Sequence, residues 1–189
     1  MTLTKLLLTL AVTINLAGCA GLFVAGAATT ANIATDTRST SEIWRDNNIE
    51  FEVASITNQH PYVERVRVSS SSHRGTVVLM GQSKEEDLVA TLIDEVQSIE
   101  GVTTVYNQIR DKEPLSVSGI SRDSWLTTKV KSALLTEKKL NGVKVKVITE
   151  DEEVFLLGSV SHQHADIATE IARNISGVKK VVRAFQYAD

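Results

Sequence analysis

The chain has 189 residues, 42% of them hydrophobic and 23% charged, which suits one medium-sized globular domain or two small ones. A formal net charge of -3 argues against a general nucleic-acid-binding protein, because such proteins carry a strongly basic face. The single cysteine excludes an intramolecular disulfide.

The N-terminus has the layout of an export signal. Lys5 precedes an apolar run over residues 6–16, which is too short to span a bilayer because a span needs about 20 apolar residues. The run ends in LAGC, which resembles the bacterial lipobox, where the cysteine sulfur accepts a diacylglycerol. We predict that residues 1–18 are a signal peptide and that Cys19 carries the lipid. A chance thiol at Cys19 and a membrane span over residues 6–34 are the less favoured alternatives.

A lipidated N-terminus predicts a location for the protein. The resemblance to bacterial lipoproteins implies three acyl chains on the mature N-terminus, which would in effect anchor it permanently. The next residue is Ala20 rather than the aspartate that retains such proteins in the inner membrane of enteric-type bacteria. We therefore expect the inner leaflet of the outer membrane, with the protein facing the periplasm. Residues 19–46 are rich in Ala, Thr, Gly and Ser, so we predict a lipidated tether there.

The rest of the chain holds two copies of one small domain. Residues 65–81 align without gaps to residues 142–158, and their apolar positions and final glycines coincide. The matched pairs are Val66 with Val143, Val68 with Val145, Val77 with Val154, Leu79 with Leu156 and Gly81 with Gly158. We predict domains over residues 47–113 and 122–189, joined by a linker over residues 114–121 that contains proline, glycine and serines.

Hydrophobic periodicity predicts helix, strand, strand, helix and strand in each copy. The first copy runs over residues 49–110. In the second copy the predicted elements are a helix over 124–140, strands over 143–149 and 154–160, a helix capped by Ser161 that reaches Ile175, and a strand over 178–187. Gly81 and Gly158 are expected where a strand gives way to a helix. The predicted class is α+β, with two tandem αββαβ domains that each carry two helices on one face of a three-stranded sheet.

This pattern resembles a known family. The αββαβ order, the segments VVLMG and VFLLG and the closing segments GVTTVYNQI and GVKKVVRAF are similar to BON domains, small modules of exported and membrane-associated bacterial proteins. A lipobox followed by two such domains resembles the dual-BON-domain outer-membrane lipoproteins of proteobacteria, over about residue 47 to the end. The resemblance implies that the second domain binds anionic phospholipid, such as phosphatidylglycerol or cardiolipin. It also implies a part in outer-membrane integrity and a place at the division site.

The two copies differ in charge. Residues 47–113 hold 11 acidic and 6 basic residues, a net charge of -5, whereas residues 122–189 hold 9 acidic and 11 basic residues, a net charge of +2. Only the second copy therefore favours an anionic surface.

The first helix of the second copy predicts the site of lipid binding. At about 100° per residue its core face consists of Leu126, Val130, Ala133 and Leu134. An exposed tryptophan and leucine edged by lysines are typical of a membrane interface. The predicted phospholipid-binding residues are Trp125, Thr128, Lys129, Lys131, Ser132, Leu135, Thr136 and Lys138.

The first copy serves as an internal comparison for this helix. Trp125, Lys129, Lys131 and Leu135 correspond to Asn48, Glu52, Ala54 and Asn58, while the core positions Ile49, Val53 and Ile56 stay apolar. The outer face of the second helix is therefore interpreted as an addition to the basic fold. The alternative is that Trp125 packs against the neighbouring domain or the linker.

The sequence shows no catalytic constellation, and we expect no metal and no cofactor. His162 and His164 are interpreted as exposed side chains rather than half of a metal site. The acidic run over residues 150–153 predicts a hairpin turn, with calcium binding as the alternative. We expect a non-enzymatic protein that binds phospholipid. The alternatives are an adaptor for an envelope enzyme or outer-membrane assembly factor, and a module for cell wall or a small ligand.

Overall fold

The computed structural model describes residues 38–187, so the predicted signal peptide and the lipid site Cys19 lie outside the described residues. The first domain contains α1 (Thr40–Thr57), β1 (Val66–His73), β2 (Thr76–Ser83), α2 (Glu86–Ser98) and β3 (Thr104–Asp111). The second contains α3 (Val117–Thr136), a 3-10 turn (Lys138–Leu140), β4 (Lys146–Glu150), β5 (Glu153–Val160), α4 (His162–Arg173) and β6 (Lys180–Tyr187).

Each domain has one mixed three-stranded sheet whose middle strand is the second in sequence. The strand orders are β1-β2-β3 and β4-β5-β6. The first pair of each sheet is an antiparallel hairpin, and the third strand runs parallel to the middle one. The parallel step requires a crossover, which the second helix of each domain supplies. The predicted α+β class with two αββαβ domains is confirmed.

The two helices of each domain cover the same face of its sheet. In the first domain α1 and α2 bury Ile49 and Leu92 against the strand residues Val77 and Leu79. In the second domain the corresponding cluster contains Val130 and Leu134 of α3, Ala168 and Ala172 of α4, and the strand residues Val154 and Leu156. Each domain thus has its own helix-side core, as the repeat predicts.

The opposite faces of the two sheets pack against each other. Val78 and Met80 of β2 form a buried cluster with Phe155 and Leu157 of β5. These residues alternate along their strands with the helix-side core residues, because successive side chains point to opposite faces. The described chain is therefore layered as helices, sheet, sheet and helices, and all four helices lie on the outside.

Ion pairs clamp the sheets together at one end of this contact. The acidic run predicted as a hairpin turn forms the β4–β5 turn and reaches across to the first domain. Arg110 donates to Glu153 at 2.6 Å and Lys112 to Asp151 at 2.6 Å. The carboxylate of Glu150, only 4% exposed, accepts from the Ser69 hydroxyl at 2.6 Å. We call these three contacts the domain clamp.

A buried aspartate on the first helix of each domain holds the tip of the adjacent hairpin. The Asp46 carboxylate accepts hydrogen bonds from the backbone N–H groups of Arg74 and Gly75 at 2.8 and 3.0 Å. In the second domain Asp123 accepts from the N–H groups of Asp151 and Glu152 at 2.7 and 2.8 Å. The turn residues have few backbone partners of their own, so each aspartate ties its helix to its sheet.

The first helix starts earlier than the sequence pattern predicts. The predicted tether ran to residue 46, but α1 begins at Thr40. Ser39 caps the helix by accepting from the N–H of Glu42, whose side chain in turn accepts from the Ser39 N–H. This reciprocal capping box is a local sequence signal that fixes a helix start.

The third helix also starts early, inside the linker predicted over residues 114–121. Ser116 caps it by accepting from Gly119, and the helix runs from Val117 to Thr136 rather than over residues 124–140. The chain leaves the helical conformation at Glu137 and forms a short 3-10 turn before β4.

The strand glycines lie within strands, not where a strand gives way to a helix as expected. Gly81 lies within β2 at φ 156° and Gly158 within β5 at φ 136°. A Cβ atom at these positions would stand 1.9 Å from the Arg67 carbonyl oxygen and 2.6 Å from that of Lys144. The glycines are needed because the neighbouring backbone, in β1 for Gly81 and just before β4 for Gly158, approaches too closely for a side chain.

The hydrogen bonds to Asp46 predict a loss of stability in acid. Burial disfavours the charged carboxylate, but the hydrogen bonds from Gly75, Ser72, Arg74 and Arg38 outweigh burial and lower the pKa of Asp46. The stabilisation is fully present above the unfolded-state pKa of 3.8 and is lost as pH falls through the lower folded-state pKa.

We expect Asp46→Asn to lower the free energy of unfolding by about 1–3 kcal/mol at pH 7, because an amide cannot accept the same bonds. Urea unfolding at pH 7 and pH 3 checks this. The loss should be smaller at pH 3. The exposed Asp94→Asn is the control, and equal losses for both variants at pH 7 would contradict this role of Asp46.

Candidate functional site

The outer face of α3 carries exposed apolar side chains. Trp125 is 63% exposed and Leu135 is 82% exposed. They lie about 15 Å apart along the helix, at the residue rise of 1.5 Å. Thr128, Ser132 and Thr136 are exposed between and beside them. We call these five residues the outer strip.

The opposite face of α3 is the core face that the sequence predicts. Leu126, Val130 and Leu134 are buried and Ala133 is half-buried. The alternative placement of Trp125 against the neighbouring domain is wrong, because the sheets form the domain contact and leave the tryptophan exposed. The residues of the outer strip therefore take no part in the packing of the domain core.

The hydroxyl groups of the outer strip are partly turned back onto the helix. The Thr128 hydroxyl donates to the carbonyl oxygen of Ser124 at 3.0 Å, and that of Thr136 to the carbonyl of Ala133 at 2.9 Å. Such back-bonding satisfies the hydroxyl within the helix. These two hydroxyl groups therefore need no further partner on the exposed face of the helix.

The three predicted lysines differ in their surroundings. Lys129 is half-buried and donates to the carbonyl oxygen of Ser176 at 2.8 Å, next to the end of α4. Lys131 is exposed on the other flank of the helix. Lys138 lies beyond the helix, in the 3-10 turn. The structure thus places positive charge on both sides of the outer strip and past its C-terminal end.

Sequence reasoning missed one exposed apolar residue on this helix. Val117 is 80% exposed and begins α3, which the sequence pattern started at Ser124. At about 100° per residue Val117 has the same angular position as Leu135, some 27 Å away along the helix. The serine and glycine content around Val117 concealed the helix, although Ser116 is a recognisable N-cap.

The outer face of α1 also carries exposed aromatic side chains. The comparison of the two copies had interpreted such a face as an addition found on the helix of the second copy. Trp44 is 67% exposed and Phe51 is 75% exposed. Phe51 occupies the position of Thr128 in the repeat, and Trp44 lay in the segment predicted as tether. Exposed aromatic side chains are therefore shared by α1 and α3. The difference between their domains is charge, net -5 over residues 47–113 and +2 over residues 122–189.

The histidines and acidic residues have structural partners. His162 stacks on Tyr187 with ring centroids 3.9 Å apart, and His164 lies 2.9 Å from the Ser161 hydroxyl at the start of α4. Among residues 38–187 no group of three or more histidine, cysteine or acidic side chains is arranged to hold a metal ion. Calcium binding was the alternative for the acidic turn over residues 150–153. Acidic side chains of this turn form ion pairs with basic side chains, in the domain clamp and between Glu152 and Lys179.

Within residues 38–187 no helix combines the length and the apolar character that a membrane span requires.

Comparison with known proteins identifies the family. The profile of the BON domain matches residues 45–112 and again residues 122–189. The chain belongs to the BON-domain family. It is 40% identical over 188 residues to the outer membrane lipoprotein DolP of Haemophilus influenzae, covering 99% of this chain and 97% of that one. The protein is therefore a DolP-like outer membrane lipoprotein with two BON domains.

Two further relatives share much of the chain. The 21 kDa hemolysin of Actinobacillus pleuropneumoniae is 39% identical over 153 residues, which is 80% of this chain and 79% of that protein. The osmotically-inducible protein Y of Escherichia coli is 30% identical over 139 residues, or 72% and 69% of the two chains. These relatives are named as lipoprotein, hemolysin and osmotically induced protein, and none of the names is that of an enzyme.

The separation of the two faces of α3 can be tested by stability. We expect Trp125→Ser and Leu135→Ser to change the free energy of unfolding by no more than about 0.5 kcal/mol, because both side chains are already in water. Leu126→Ala, on the core face, should cost about 2–5 kcal/mol. Urea unfolding monitored by circular dichroism measures all three. A loss above 2 kcal/mol for either serine variant would show that the strip is packed.

Proposed function

We propose that this outer membrane lipoprotein docks its second BON domain onto anionic phospholipid through the outer strip of α3. The observation that supports this most directly is the exposure of Trp125 and Leu135 on a helix that does not need them for its core. Tryptophan prefers the headgroup level of a membrane, and lysines beside it attract phosphate. Phosphatidylglycerol and cardiolipin are the lipids of this charge.

Binding by this surface is weak, and a lipid anchor at Cys19 makes weak binding sufficient. A lysine near an anionic surface contributes about 1 kcal/mol, and two exposed apolar side chains add a few more. An anchor already in the membrane turns docking into an intramolecular step with a high effective concentration of lipid. The lipid anchor holds the protein at the inner leaflet of the outer membrane, and the α3 contact orients it there.

The docked protein supports the integrity of the outer membrane and acts where anionic lipid is enriched, such as the division site. This location follows from the lipid preference proposed for α3, because a protein that binds anionic lipid accumulates where that lipid is concentrated. The charge difference between the domains agrees with such a role. The acidic first domain is repelled by the surface that the second domain binds.

A second candidate function is that of an adaptor for an envelope protein, and α1 favours it. Trp44 and Phe51 form an exposed aromatic pair on the acidic domain, which an anionic membrane does not attract. Exposed aromatic side chains of this kind are typical of protein interfaces. The two functions are compatible, because they use different helices.

Vesicle binding of variants tests the lipid proposal. With vesicles that contain phosphatidylglycerol, we expect Trp125→Glu and Leu135→Glu to abolish co-sedimentation of the form comprising residues 20–189. A carboxylate at either position opposes insertion and is repelled by phosphate. The matched control is Trp44→Glu, an equally exposed tryptophan on the other helix, which should sediment like the unmodified protein.

Salt and lipid composition give the remaining controls. Binding should weaken as ionic strength rises, because exposed charges are screened, and should vanish on purely zwitterionic vesicles. Retained binding by both α3 variants removes the proposal. Loss of binding by Trp44→Glu alone would move the membrane contact to the first domain.

A further inference from the structure

The outer face of α1 presents two aromatic rings with uncharged residues between them. Trp44 and Phe51 are seven residues apart, which gives them nearly the same angular position and separates them by about 10 Å along the helix axis. They lie on the side opposite the core residues Ile49 and Val53. Asn48 is exposed between them and carries no charge. This side of α1 therefore offers apolar contact area that the domain core does not use.

The neighbouring helix α2 has the same spacing with carboxylates in place of rings. Its 13 residues include four acidic side chains and no basic one. Asp87 and Asp94 are seven residues apart, exposed, and opposite the core residues Leu92 and Val96. Within residues 38–187 neither aspartate has an ion-pair partner. The outer face of α2 therefore carries negative charge that no described side chain neutralises.

The flank of α1 that faces α2 adds a third carboxylate. Arg45 lies on this flank, because a Cβ atom on Gly101, just after α2, would stand 2.7 Å from the Cδ atom of the arginine. Glu52 is seven residues further along and lies on the same flank, exposed and without an ion pair in the described part of the chain. Three carboxylates against the one arginine leave an excess of two negative charges. We call Trp44, Phe51, Glu52, Asp87 and Asp94 the acidic aromatic face.

The chemistry of the acidic aromatic face selects one class of partner. Exposed aromatic side chains are typical of protein interfaces. The carboxylates beside them are repelled by an anionic membrane and attract arginine or lysine. An arginine also stacks favourably on a tryptophan ring. A protein surface with positive charge therefore fits this face, and an anionic lipid surface does not.

We propose that the acidic aromatic face binds a cationic segment of another protein. An apolar side chain of the segment packs between Trp44 and Phe51, and its basic side chains pair with the carboxylates of α1 and α2. This inference rests on the adaptor function proposed for α1 and names the chemistry of the partner. The outer strip of α3 belongs to the other domain, so one molecule can hold the partner and the membrane at the same time.

Three peptides of about 15 residues, each an alanine-based helix, test the charge of the partner. The first carries two leucines and four arginines on one side, the second has the same residues distributed around the helix, and the third has glutamate in place of arginine. Each is titrated by NMR into the form comprising residues 20–189, which contains both described domains. We expect the first peptide to shift the backbone signals of Asn48, Phe51 and Asp94, with an affinity at least fivefold above the second. The third should not bind.

A double variant of the rings assigns the binding to α1. Trp44→Ser combined with Phe51→Ser should weaken binding of the first peptide about fivefold or more, because the apolar contact is lost. The matched control is Trp125→Ser combined with Leu135→Ser, which removes two equally exposed side chains from α3 and should bind normally. Circular dichroism checks that both proteins stay folded.

A double variant of the carboxylates assigns the charge to α2. Asp87→Asn combined with Asp94→Asn should weaken binding of the first peptide by a similar factor, and added salt should weaken it further. The control is Asp166→Asn combined with Glu170→Gln on α4, the equivalent helix of the second domain. It removes the same charge from exposed positions and should leave binding unchanged.

Four results would overturn the cationic partner. Absence of binding does so, and so does equal binding of the two arginine peptides or normal binding by both double variants, since only the net charge of the protein would then matter. Binding of the glutamate peptide at α1 with equal strength would keep an adaptor surface there and overturn its preference for positive charge. Signals of α1 that shift with protein concentration alone would assign the face to a second copy of this chain. The lipid proposal is decided separately, by the vesicle binding of Trp125→Glu.

Discussion

The contact between the two sheets determines what the rest of the molecule presents to its surroundings. Val78 and Met80 on one sheet and Phe155 and Leu157 on the other remove their side chains from water by facing each other. A small αββαβ domain covers only one face of its sheet with helices, so the second face needs another cover. Here each domain covers the other, and the four α-helices of residues 38–187 are left on the outside.

This arrangement frees the helices to differ. A helix buried in a domain interface has its outer face fixed by packing, whereas the two cores use only the inner faces of α1 and α3. Their outer faces carry Trp44 and Phe51 on an acidic domain and Trp125 and Leu135 on a more basic one. The two copies thus present two exposed surfaces with aromatic side chains, one on a domain of negative net charge and the other on a domain of positive net charge.

The contact between the domains is held by polar bonds at both ends. At one end the turn of β4 and β5 carries acids that meet Arg110 and Lys112. At the other end Lys146 of the second domain donates to the Glu50 carboxylate of α1 at 2.7 Å. The acidic turn therefore serves to join the two domains.

The internal repeat made the order of elements and the helix-side cores predictable. Ile49, Val53, Leu126 and Val130 follow helical periodicity and are buried as expected. The starts of α1 and α3 were also encoded, by Ser39 with Glu42 and by Ser116, but polar composition masked them.

The packing of one sheet on the other was harder to predict. The run over residues 77–80 is apolar on both faces, which shows that β2 is covered twice, yet periodicity does not say by what. Likewise a helical wheel placed Trp125 on the outer side, but its freedom from the neighbouring domain followed only once the sheets were seen to form the contact. Long-range partners of this kind are not encoded in local spacing.

The central claim is that α3, and not α1, meets anionic lipid. It is tested most directly by NMR chemical-shift perturbation of residues 20–189, titrated with phosphatidylglycerol micelles and, separately, with zwitterionic micelles. We expect shifts that cluster over Trp125 to Lys138 with the anionic lipid alone, and little change around Trp44 and Phe51. Shifts of equal size at both helices, or equal responses to both micelles, would contradict the account.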